Sequence, residues 1–159
     1  MRPSVTAAKK NVLVVYHSQS GIMKAMAKKF ADGAQEEENV RVILKEARDA
    51  HLDDLLNCQA IVIASPEYFG TMAGMIKDFF DRTYEAAQDK TIGLPFLILV
   101  CAGNDGLGAL NQIEKISAGY KWRKALEHIR VVGTPKKQDM AQLRETGQTL
   151  AAGLDFGIF

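Results

Sequence analysis

The chain changes hydrophobic period again and again, and this alternation restricts its fold more than any other feature. Residues 11–16, NVLVVY, form a β-branched run that is apolar at almost every position, as expected of a strand covered on both faces. From 20 to 35 the apolar positions Ile22, Met26, Phe30 and Gly33 or Ala34 recur at helical spacing, with Lys24, Lys28 and Lys29 between them. The exchange continues with a strand at 40–47, a short helix around 51–57, and a strand at 60–65. A helix at 72–87 comes next, its buried face marked by Met72, Met75 or Ile76, Phe79, Phe80 and Tyr84. PFLILVCA at 95–102 is the most apolar strand and is expected at the centre of the sheet. The next helix, 107–118, is expected to close on Gly119 as a left-handed residue. YKWRKALEHIRVVG has an ambiguous period and reads best as a broken strand, 121–126 and 129–132. The last helix, 137–153, begins after Thr134-Pro135 and carries Met140, Leu143, Gly147, Leu150 and Leu154 at helical spacing.

Five strands separated by crossings of helical length predict an α/β fold, a parallel sheet with helices on both faces. The 159 residues suit one core. Twenty Lys and Arg against 19 Asp and Glu leave a formal charge of +1, too little to gather nucleic acid or an anionic membrane. Cys58 and Cys101 lie in apolar runs without CxxC or metal-ligand spacing, so they read as free thiols in a reducing compartment. The opening MRPSVTAAKK has no apolar h-region and is read as a loose leader, residues 1–10, ahead of one domain at 11–154 and a tail at 155–159. No apolar run is long enough for a membrane span, and a cytoplasmic protein is expected.

In parallel α/β sheets, ligands bind beyond the carboxyl ends of the strands. Three joins lie there. In the first, Ser18, Gln19, Ser20 and Gly21 come after a strand and open a helix, where unpaired N–H groups and the positive dipole end favour an anion. The other reading is that Ser18 or Ser20 only caps the helix. Walker and dinucleotide glycine spacings do not fit, so a mononucleotide phosphate is the better match. The second join, SPEYFGTMAG, has Pro66 to stiffen its exit, Tyr68 and Phe69 as an aromatic shelf for a flat ring, and Gly70 to free the backbone. It can also be read as a hydrophobic plug over the sheet edge. The third join, CAGNDGLGAL, offers Ala102, Gly103, Asn104 and Gly106 as a backbone-rich wall, or as a flexible turn. His17, His51 and His128 lie apart and suggest no metal site.

From Asn11 to Leu154 these residues resemble the flavodoxin-like superfamily. YHSQSG is similar to the flavodoxin phosphate loop, SPEYFGTMAGMIKDFFDR to the second flavin loop and adjoining helix of flavodoxin-fold quinone reductases, with PEY also similar to NAD(P)H-dependent FMN reductases, and TGQTLA to the closing helix of the group. The resemblance implies a three-layer fold with strand order 2-1-3-4-5 and FMN as cofactor. It places the phosphate over Ser18, Gln19, Ser20, Gly21, Ile22 and Met23, and the isoalloxazine between the second and third loops. Ile22 and Met23 stand where the superfamily has Asn and Thr, which removes one phosphate hydroxyl. The third loop has no aromatic residue, so one ring face is expected to stay open to a nicotinamide or quinone.

The resemblance further implies an NAD(P)H-dependent FMN or quinone reductase that passes electrons to a small acceptor, with no side chain acting as nucleophile. Glu67 and Tyr68 are then orienting groups and Asn104 a flavin-edge contact. Homo-oligomerisation is compatible with it. Two alternatives stand beside it: a non-enzymatic electron carrier serving a redox protein partner, and an FMN-free binding or regulatory module.

Overall fold

A computed structural model describes residues 8–159, so most of the expected leader lies outside the described residues. In chain order the elements are β1 (Lys10–Tyr16), α1 (Ile22–Gln35), β2 (Val40–Glu46), a 3-10 turn (Ala47–Asp49), α2 (Leu52–Leu56), β3 (Ala60–Tyr68), β4 (Thr71–Met72) and α3 (Gly74–Ala87), continuing with β5 (Pro95–Ala102), α4 (Leu107–Gly119), β6 (Arg123–Lys124), β7 (Ile129–Val132) and α5 (Lys137–Asp155). The parallel sheet runs β2-β1-β3-β5, with β6 and β7 sharing the far edge beside β5. Counting that split edge as one strand gives the expected order 2-1-3-4-5. β3 occupies the middle; β5, expected there, is one place off it, though all eight of its residues are buried.

Strand alternation divides the core into two layers. On one side Val12, Val14 and Tyr16 of β1 pack with Met23, Met26 and Phe30 of α1 and with Leu143 and Leu150 of α5. On the other, Leu13 and Val15 pack with Ile76, Phe79 and Phe80 of α3 and Ile113 of α4. Each such side chain contributes about 1.5–3 kcal/mol by leaving water. The two helices of the first layer meet backbone to backbone. A Cβ on Gly147 would lie 2.1 Å from the Phe30 carbonyl oxygen, and one on Gly33 would lie 2.0 Å from that of Arg144.

Four expectations need correction. β3 does not stop at residue 65 but runs to Tyr68 and turns back through β4, pairing Glu67 with Met72 and Tyr68 with Thr71. Phe69 and Gly70 form the two-residue connection, both with positive φ (53° and 75°), the dihedral choice that matches strand twist in a tight hairpin. The helix expected from 72 therefore starts at Gly74, and Met72 belongs to the hairpin. Tyr84, expected on the buried face of α3, is 38% exposed, whereas Thr83 is buried, its hydroxyl donating to the Phe79 carbonyl at 2.9 Å. Gly119 ends α4 within the helix; the left-handed residue beyond it is Lys121, with φ 62°.

The split edge strand leaves a gap that a side chain fills. Between the pairs Phe96↔Lys124 and Leu99↔Ile129 the edge carries extra residues, so ladder bonding to β5 is interrupted. The Ile98 N–H donates instead to His128 Nδ1 at 3.0 Å. A buried amide needs an acceptor, and the imidazole supplies it where the backbone bulges away.

Candidate functional site

A hollow of about 360 Å³ opens at the carboxyl ends of β1, β3, β5 and β7. Its size is within the range of small-ligand sites. Ser18, Gln19, Ser20, Ile22 and Met23 line it from the β1–α1 join, Pro66, Glu67 and Tyr68 from the end of β3, and Cys101, Ala102 and Gly103 from the end of β5. Gly133 and Thr134 complete it from beyond β7.

The β1–α1 join is built to present donors. Gly21 takes φ 94° and lets the chain turn into α1, whose first intrahelical bond runs from Ala25 N–H to the Gly21 carbonyl. The amides of Met23 and Lys24 precede that bond and stand at the positive end of the helix dipole. Ser18 Oγ accepts from Gly21 N–H at 3.1 Å, and Ser20 Oγ accepts from Ile22 N–H at 3.4 Å. The serines thus brace the turn, and each hydroxyl keeps its own proton to offer an anion.

The facing wall is stitched together by hydrogen bonds that join the β3–β4 hairpin to α4 and α3. Glu67 Oε2 accepts from Ala109 N–H in the first turn of α4 at 3.0 Å, where the helix dipole favours a carboxylate. Met72 N–H donates to Gln112 Oε1 at 3.1 Å, and Ala73 N–H donates to Ser65 Oγ at 3.0 Å. Gly108 admits the closest contact: a Cβ there would meet the Gly70 carbonyl oxygen at 1.9 Å. Tyr68 stands over this wall with its ring edge-on to His17, centroids 6.2 Å apart and planes at 89°. Burial pushes the Tyr68 hydroxyl above its ordinary range, the nearby Cys101 thiol adds to this, and a hydrogen bond with the Gln19 main chain opposes it. Burial pushes the Cys101 thiol up to about 11, so it is protonated at neutral pH and is no nucleophile.

Ten of the fifteen residues expected at the site line the hollow: Ser18, Gln19, Ser20, Ile22, Met23, Pro66, Glu67, Tyr68, Ala102 and Gly103. The other five do not. Gly21 shapes the turn behind it, and Gly70 is pressed on Gly108. Gly106, with φ 73°, caps α4 and faces Val100 and Arg130. Asn104 is exposed outside the hollow. Phe69 sits at the hairpin tip, where its left-handed backbone directs the ring fully into solvent, so the aromatic shelf consists of Tyr68 alone. Cys101, Gly133 and Thr134 join the site without a signal in the sequence. The apolar run around Cys101 marks it as a core thiol, and Gly133 and Thr134 lie past the last strand, where no cluster of hydroxyl, aromatic or glycine residues points to a ligand.

The fold and the donor-lined hollow at its strand ends define a flavodoxin-like protein. Residues 11–132 match the family of NADPH-dependent FMN reductases, and the chain belongs to that family. It is 32% identical over 98 residues to an NAD(P)H dehydrogenase (quinone) of Acidithiobacillus ferrooxidans, a stretch covering 49% of each protein. It is 36% identical over 70 residues to a flavodoxin of Aquifex aeolicus, covering 44% of this chain and 38% of that one. The matches thus span half or less of these curated relatives. Among solved structures, a flavodoxin from the domain Archaea superposes with a TM-score of 0.82 at 25% identity, over 91% of this chain and 99% of the other.

FMN is the cofactor that this family membership indicates. The hollow fits it: amides and serine hydroxyls at one end suit a phosphate, and a single aromatic ring with a glycine-bearing strand end at the other suits a planar tricycle. Among the described residues, no helix is long and apolar enough to cross a membrane.

Proposed function

We propose that this hollow holds FMN and that the protein uses NAD(P)H to reduce a quinone or a flavin. The observation that carries the reading is the lining of the hollow: Tyr68 is its one large aromatic side chain, and the neighbouring end of β5, Cys101 to Gly103, presents only small groups. A flat ring resting on Tyr68 keeps its other face accessible, which a nicotinamide and then an acceptor require. FMN supplies the hydride chemistry when bound. The chain's own residues bind and orient: Ser18 and Ser20 with the first amides of α1 hold the phosphate, and Glu67 fixes the hairpin wall by its bond to Ala109 N–H. Hydride transfer of this kind needs no covalent step through a side chain, and burial keeps Cys101, the one thiol lining the hollow among the described residues, protonated. The buried free thiols Cys58 and Cys101 fit a reducing compartment.

The likeness to two flavodoxins favours a second reading, a carrier reduced by a separate protein. Anaerobic mixing of the FMN-loaded protein with NADPH or NADH separates the two. Rapid loss of oxidised-flavin absorbance with either nucleotide, and reoxidation by a quinone or free FMN, is the expected result. Failure of both nucleotides to bleach a bound flavin would overturn the reductase reading in favour of the carrier.

A further inference from the structure

We infer that Thr134, in the segment joining β7 to α5, is a phosphate-binding residue of the hollow. It supplies from outside the β1–α1 join a hydroxyl that the start of α1 does not provide. This rests on the proposal that the hollow holds FMN.

The first turn of α1 faces the hollow with Ile22 and Met23, neither of which can donate from its side chain. Besides Thr134, the side-chain donors lining the hollow among the described residues are Ser18, Gln19, Ser20 and the Tyr68 hydroxyl. Tyr68 reaches the same join, its ring edge-on to His17 and its hydroxyl hydrogen-bonded with the Gln19 main chain, while its ring also packs with the α3 and α4 layer of the core. Thr134 lies on the α1 side. The helix beyond it shares a core layer with α1, Met140 packing in the same cluster as Met23 and Met26. Lys29 of α1, Lys136 just before α5 and Lys137 at its start line one neighbouring groove together with Arg144 and Glu145.

The backbone explains how a residue past the edge strand comes to face the hollow. Gly133 N–H donates to the Ala102 carbonyl at 2.8 Å, which anchors the segment on the end of β5. Gly133 then takes φ +79°, a conformation that bends the chain and that other residues rarely adopt. Thr134 comes next, exposed and lining the hollow. The start of α5 already carries a carboxylate, Asp139 accepting from Lys136 N–H at 2.7 Å, so an anion at that terminus itself would meet a like charge. Of the two residues of this segment that line the hollow, Gly133 and Thr134, only Thr134 has a polar side chain, its hydroxyl. Among the described residues, the only carboxylate lining the hollow is that of Glu67, held on the other side by Ala109 N–H. A dianion near Thr134 therefore meets hydroxyls and amides within the hollow.

The test compares FMN with riboflavin, which has the same ring and ribityl chain but no phosphate. Flavin fluorescence is titrated with flavin-free wild type, Thr134→Val and Thr134→Ser, and thermal melts check that each is folded. Thr134→Val is expected to weaken FMN about ten- to hundredfold, the loss of one hydrogen bond to a charged group, with riboflavin unchanged. Thr134→Ser is expected to keep most of the FMN affinity. Equal losses for both flavins would overturn the assignment by placing Thr134 against the ring or ribityl chain. Unchanged FMN affinity in Thr134→Val would overturn it as well. If wild type itself binds no FMN, the functional reading has failed and this inference with it; if wild type binds FMN and Thr134→Val binds it equally well, only the inference has failed.

Discussion

Replacing Gly108 by alanine is expected to pull apart the two walls of the hollow. The new Cβ would stand 1.9 Å from the Gly70 carbonyl oxygen, where ordinary contact begins at 3.4 Å. The obstacle is backbone on both sides, so the hairpin must retreat from α4 by about 1.5 Å. Such a shift carries the 3.0 Å bond between Ala109 N–H and Glu67 out of range. A hydrogen bond to a charged group is worth about 1.5–3 kcal/mol, reduced here because Glu67 is partly exposed. Against this, alanine gains up to about 1 kcal/mol of helix propensity over glycine, and less in a first turn. The loss outweighs the gain, giving a net destabilisation of about 1–2 kcal/mol. Urea unfolding of the flavin-free protein measures it, and an FMN titration is expected to show affinity lowered by about tenfold or more as Tyr68 moves with the hairpin. A Gly108→Ala protein as stable as wild type, with unchanged FMN affinity, would refute the claim that this contact positions the wall.

His128→Ala strands the buried Ile98 N–H and should cost about 1–3 kcal/mol in urea unfolding, with His128→Asn recovering part of it by restoring an acceptor. Burial, and after it the charge of Lys124, holds the His128 imidazole below its ordinary value of 6.5, with Glu114 and Glu127 opposing. The unfolded chain therefore takes up this proton first as pH falls, so the stabilisation is complete above about pH 6.5 and declines below it. Wild type should lose stability across that range more steeply than His128→Asn. Gly147→Ala would drive a methyl to 2.1 Å from the Phe30 carbonyl and force α1 from α5; a loss of about 1–3 kcal/mol by thermal or urea unfolding is expected. Ser20→Asp places a carboxylate beside the amides of the β1–α1 join and should abolish FMN binding in a fluorescence titration while leaving the flavin-free fold intact.

The parallel sheet with helices on both faces was legible because β1, β3 and β5 are almost wholly buried and the helices between them keep a 3.6-residue period; the strand order came from the resemblance to the flavodoxin-like superfamily, since periodicity does not order strands. Even the broken edge was visible, since YKWRKALEHIRVVG fits neither period throughout, though nothing in its residues signals that His128 bridges the break. The β3–β4 hairpin was hidden by its composition: Phe69 is a poor residue for positive φ, and only the pairing of Glu67 with Met72 and Tyr68 with Thr71 shows that the turn is this tight. Tyr84 and Thr83 exchanged places because helical spacing fixes a stripe to within one residue and cannot weigh a hydroxyl that bonds its own helix at Phe79. At the site, the serine-bearing join and the PEY segment declared themselves by residue type. Thr134 did not, because an isolated Thr-Pro before a helix looks like a cap, and its place in the hollow depends on the turn at Gly133 and the anchor to Ala102.

A crystal structure of the protein grown with saturating FMN tests the account most directly. The phosphate should lie against the amides that open α1, within reach of Ser18, Ser20 and Thr134, with the tricyclic ring along Tyr68 and its other face uncovered. A flavin bound elsewhere, or a hollow closed to FMN while the sheet and helices stand as described, would contradict it.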